Sequence, residues 1–69
     1  MLLWGVRMGP IHHTYELYLD DGDGAPRFEP LTCASRSEVL PAVRRIIKEQ
    51  NLRSVEVREQ GVRLFTVDG

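Results

Sequence analysis

The segment SRSEVLPAVRRIIKEQN, residues 35–51, is the one stretch of this chain with a clear helical period, and it stands between two pairs of strand-like segments. Stepping 100° per residue from Val39, the apolar Val39, Leu40, Ala42, Val43, Ile46 and Ile47 fill an arc of about 160°. Arg44, Arg45, Lys48 and Glu49 take the other side. Ser35 with Glu38 has the spacing of a capping box. Ser37 is a rival N-cap, favoured by Pro41, which then sits nearer the first turn, where a missing N–H costs least. Asn51 suits a left-handed stop.

Before the helix, residues 11–19, IHHTYELYL, alternate. Ile11, His13, Tyr15, Leu17 and Leu19 point one way, and His12, Thr14, Glu16 and Tyr18 the other, the pattern of a strand with one buried face. The stretch DDGDGAP follows. Read as a calcium loop with Gly24 as its glycine, it puts Leu19 at the first ligand position and Pro30 at the twelfth, where oxygen ligands are required. Asp and Gly between two strands are explained by a hairpin turn, which is the reading taken, and no metal site is expected. The next run, PRFEPLTC, is a poorer strand. Phe28 suits the buried face, and a bulge near Glu29–Pro30 is expected to bring Leu31 and Cys33 back to it. Pro26 and Pro30 cannot donate ladder hydrogen bonds, so this strand belongs at a sheet edge.

After the helix, LRSVEVRE and VRLFTV flank Gln60–Gly61 as a second hairpin with a tight turn. Pairing Glu59 with Val62 sets Val57 opposite Leu64 and Val55 opposite Thr66. Val55, Val57, Val62 and Leu64 are then expected on one face, and Phe65 and Val67 on the other.

The order is therefore β-β-α-β-β. A right-handed crossover and an edge position for the proline-bearing strand favour the sheet order 2-1-3-4 over 1-2-3-4. The expected fold is α+β: a four-stranded, mainly antiparallel sheet with one helix on one face. Residues 11–69 form this single domain. Residues 1–10, MLLWGVRMGP, read as an N-terminal arm, either disordered or an extra edge strand.

Composition narrows the function classes. The formal net charge is −1, so the chain is not a polyanion binder by composition. Residues 1–34 balance to −3 (two basic, five acidic) and residues 35–69 to +2 (seven basic, five acidic). One cysteine, Cys33, excludes an internal disulfide framework and favours a reducing compartment. No secretory signal or membrane-length apolar run is visible, and the expected setting is soluble and cytoplasmic. Phosphate-cradling glycine loops and the common hydrolase and metalloprotease motifs are not found, and no cofactor is implied.

These readings point to a small non-catalytic interaction module that self-associates or docks on a partner protein. Its candidate contacts are Tyr18 and Phe65 on the open sheet face, with Val67, Arg27, Glu56 and Arg63 around them. A strand edge and the basic helix ridge of Arg44, Arg45 and Lys48 are the others. One alternative is a nucleic-acid-associated regulator that uses the same arginines. Another is a thiol-dependent enzyme or redox protein built on Cys33. If residues 20–25 form the loop, with Leu19 opposite Pro26, then His12 stands opposite Cys33 and Glu16 opposite Glu29.

Overall fold

The computed structural model describes residues 12–69. The expected N-terminal arm lies outside the described residues. Four strands and one helix follow in the order β1 (His13–Asp20), β2 (Arg27–Cys33), α1 (Val39–Gln50), β3 (Ser54–Glu59) and β4 (Val62–Asp68). A single 3-10 turn, Arg36–Glu38, leads into the helix. The sheet order is β2-β1-β3-β4, with every neighbour antiparallel. This is the expected α+β arrangement, with the proline-bearing strand at an edge.

The core lies between the helix and the two central strands. Tyr15, Leu17 and Leu19 from β1, Val55 and Val57 from β3, Cys33 from β2 and Val39, Val43 and Ile47 from α1 pack with Leu52. Leu17, Val43, Val55 and Val57 are wholly excluded from solvent. An α-helix with its side chains is about 10 Å across, roughly two strand spacings. It covers β1 and β3 and leaves the outer strands less protected.

The helix starts later than the capping-box spacing implies. Ser35 makes no side-chain cap; its hydroxyl meets that of Ser37 at 2.9 Å. The Glu38 carboxylate instead accepts from the Ala34 N–H at 3.2 Å. Pro41 falls at the third helical residue, still within the first turn. The helix ends as expected at Asn51, in the left-handed region at φ 56°. The Leu52 N–H donates to the Ile47 carbonyl at 2.9 Å, and both side chains join the core, the pattern of a Schellman stop.

DDGDGAP connects β1 to β2, as the turn reading holds. The Asp20 and Asp21 carboxylates each accept from the backbone N–H two residues on, at 2.8 Å. Gly22 and Gly24 take φ +85° and +90°, values that L side chains rarely adopt.

Three register expectations are corrected. Leu19 pairs with Arg27, not Pro26, so His13 rather than His12 stands opposite Cys33, and Glu16 faces Pro30 rather than Glu29. That one-residue shift puts Leu31 and Cys33 on the core side without a bulge near Glu29–Pro30, and it turns Phe28 to the open face beside Tyr18. Arg27 moves to the helix side, where it donates to the Gln50 side chain. In the second hairpin Glu59 does pair with Val62, but the bulge occurs here, between Val57 and Arg58 in the ladder. Val57 consequently faces Phe65, and Val55 faces Val67. Phe65 and Val67 therefore share the helix side with Val55 and Val57 and do not belong to the open face.

Candidate interaction surface

Tyr18 and Phe65, expected together, lie on opposite faces of the sheet. On the open face Tyr18 packs against Phe28, with ring centroids 5.7 Å apart. The Arg58 guanidinium sits 5.0 Å from the Tyr18 ring centroid. Glu56 pairs with Arg58 and fixes the guanidinium over the ring. The Thr14 and Thr32 hydroxyls meet at 3.2 Å on the same face. Tyr18 is thus half-buried under its neighbours, and the exposed apolar element here is Phe28, at 56%.

The second apolar region is β4. Val62 is 63% exposed, Leu64 45% and Phe65 38%. Three large apolar side chains along one seven-residue strand are more than scattered surface residues. Among the described residues β4 has a single strand neighbour, β3, so its other side is an open sheet edge. Proline, bulges and charge are the usual protections of such an edge. β4 has its bulge and Arg63 but no proline.

Val62, paired with Glu59, shares the helix side with Val55 and Val57 as alternation implies, yet it and Leu64 are exposed, and the reason is steric. Strand four is the outermost, and one helix is too narrow to cover it. The hairpin that presents β4 is anchored from the sheet. Gln60 and Gly61 both have positive φ, 52° and 82°, the signature of a type I′ turn. Their two N–H groups donate to the Glu16 carboxylate at 3.1 and 2.9 Å.

Arg44, Arg45 and Lys48 are all exposed on α1, and none forms an ion pair among the described residues. Arg45 lines a shallow cleft of about 350 Å³ between β2 and the start of the helix, with Thr32, Cys33, Ser37, Glu38 and Pro41.

The thiol expected near a histidine stands across the strand pair from one, His13 rather than His12, and it is buried. Cys33 is 5% exposed. Burial pushes its pKa up, and the Glu38 carboxylate adds to the shift, so the thiol form is favoured. His13 faces Glu59 instead, at 3.9 Å, and Arg36 approaches the same carboxylate at 3.7 Å. The His13 ring stacks on Tyr15 with centroids 6.3 Å apart. The buried Tyr15 hydroxyl has no hydrogen-bond partner among the described residues. Burial, then Glu59, push its pKa above the usual value, with Arg36 opposing.

No cluster of three or more His, Cys, Asp and Glu side chains that could hold a metal occurs among the described residues. No helix among them is long and apolar enough to cross a membrane. Comparison with protein-family models, with curated proteins and with solved structures gives no match.

Proposed function

We propose that this chain is a non-catalytic interaction module that docks through the β4 edge of its sheet. The observation that carries the reading is the run of exposed apolar side chains, Val62, Leu64 and Phe65, on a strand with one open side among the described residues. Extended partners add to such an edge by main-chain hydrogen bonds, and the alternate side chains give specificity. Burial of the one thiol in a protonated state supports a binding role over thiol chemistry.

The test compares two charge-altering variants for the loss of associated protein, whether a second copy or another chain. Leu64→Lys places a cation on the edge. Arg44→Glu with Lys48→Glu inverts the helix ridge. Association lost in the first and kept in the second supports the β4 edge. The opposite pattern transfers the role to the helix, and binding that then collapses at moderate salt would mark the nucleic-acid alternative.

A further inference from the structure

We propose that the occupant of this edge is a second copy of the same chain, paired β4 to β4 antiparallel about a two-fold axis, so that two four-stranded sheets become one of eight strands. The inference rests on the reading of β4 as the docking edge and names what fills it.

The backbone directions come from both ends of the hairpin. The Gly69 N–H donates to the Arg53 carbonyl at 2.8 Å, one step beyond the Ser54–Asp68 pair. Hydrogen-bonded and non-bonded pairs alternate in an antiparallel ladder. Val55–Val67 is therefore a bonded pair and Glu56–Thr66 a non-bonded one. From the other end, the two-residue turn closes on a bonded Glu59–Val62 pair. Counting back along β3, Val57 is bonded to β4 and Glu56 is not. The two counts agree: the Thr66 N–H and C=O point away from β3, into the open edge.

The opposite edge is different. The same alternation makes Glu16–Pro30 a non-bonded pair, so Pro30 lies where β2 would present an outward N–H and has none to give. The β2 edge is thereby blunted at its middle, and the β4 edge is not.

A two-fold axis at Thr66 lets each copy's Thr66 N–H donate to the other's Thr66 carbonyl. On the helix side this register sets Phe65 opposite Val67 of the second copy, twice. On the open side Asp68 of the second copy falls opposite the bulged Arg63–Leu64 step, and Arg63, which shares that side with Arg58, comes within reach of its carboxylate, also twice. Within its own chain Arg63 stands directly opposite Arg58, a like charge. Neither Arg63 nor Asp68 forms an ion pair among the described residues. The β4 edge is thus complementary to itself in hydrogen bonding, in apolar pairing and in charge. Antiparallel pairing keeps faces matched, so both helices lie on one side and the two Tyr18–Phe28 stacks on the other.

Sedimentation velocity of the full chain over a concentration series tests this, with circular dichroism to confirm that each variant keeps its fold. The unmodified chain is expected to move from 7.9 kDa to twice that mass as concentration rises. Thr66→Pro removes the outward donor without touching a β3 bond and should raise the dissociation constant about thirtyfold, by two lost hydrogen bonds. Arg63→Asp and Asp68→Arg should each weaken the dimer, and the two together should restore it to within about threefold, the mark of a coupled pair. A chain that stays monomeric at every concentration overturns the proposal. So does a dimer indifferent to both Thr66→Pro and the charge exchange. A monomer that still loses a different bound protein with Leu64→Lys overturns the second copy while sparing β4 as a docking edge.

Discussion

Among the described residues the Tyr15 hydroxyl has no group that bonds it. Its phenol is buried beside His13, with the Glu59 carboxylate and the Cys33 thiol both opposing ionisation. A buried hydroxyl without a partner carries its desolvation penalty in full. Tyr15→Phe keeps the ring and removes that penalty, and should raise stability by about 1 kcal/mol in thermal or urea unfolding. The pH dependence follows from the same burial. The folded-state pKa values of Tyr15 and Cys33 are both raised from their usual 10.0 and 9.0. Each contributes stability that is complete below its unfolded value and is lost as pH rises through the folded one. Unfolding free energy measured from pH 7 upward should therefore fall above about pH 9, and less steeply in Tyr15→Phe. Alkylation of Cys33 should be slow until the protein unfolds, and a rapid reaction in the folded state would revive the thiol reading.

Among the elements, the second hairpin has the most consequences. Gly61 takes φ +82° with open space where a Cβ would stand, so the strain of Gly61→Ala is conformational rather than steric. It should cost about 1 kcal/mol in chemical denaturation. Glu16→Ala removes the acceptor for two turn amides and should loosen the turn, read as faster hydrogen exchange at Gln60 and Gly61 with little change in the core. The existence, type and order of the elements were legible because each rests on a strong local signal. These are the 3.6-residue stripe of the helix, the alternation in IHHTYELYL, the Gln60–Gly61 turn and the two prolines that force an edge. Registers were less legible. Leu31 and Cys33 against Phe28 offered two parities for one strand, and the true solution put the aromatic ring outside on Tyr18. In β4 a one-residue bulge reversed Phe65, Val67 and their neighbours, and nothing in VRLFTV marks where a bulge falls. A candidate site built from alternation therefore joined Tyr18 to Phe65 across a sheet that separates them. The exposure of Val62 and Leu64 needed the helix width and the sheet order together.

At the scale of the whole molecule, a chain this small divides its surface between one helix-covered core and what remains uncovered. The core should behave as one cooperative unit: Leu17→Ala, at a position fully closed to solvent and central in the sheet, should lower stability by about 2–5 kcal/mol. The uncovered remainder is unequal. Pro30 blunts one edge, a cation–aromatic stack occupies the open face, and β4 is left with apolar side chains and an outward-facing Thr66. The claim that β4 closes on a second copy is tested most directly by amide hydrogen exchange at Thr66, followed by NMR at a low and a high protein concentration, with Val67 as the internal reference because its N–H bonds to β3. Thr66 should exchange freely when dilute and become protected when concentrated, while Val67 is protected throughout. Free exchange at Thr66 at both concentrations, beside a protected Val67, would contradict it.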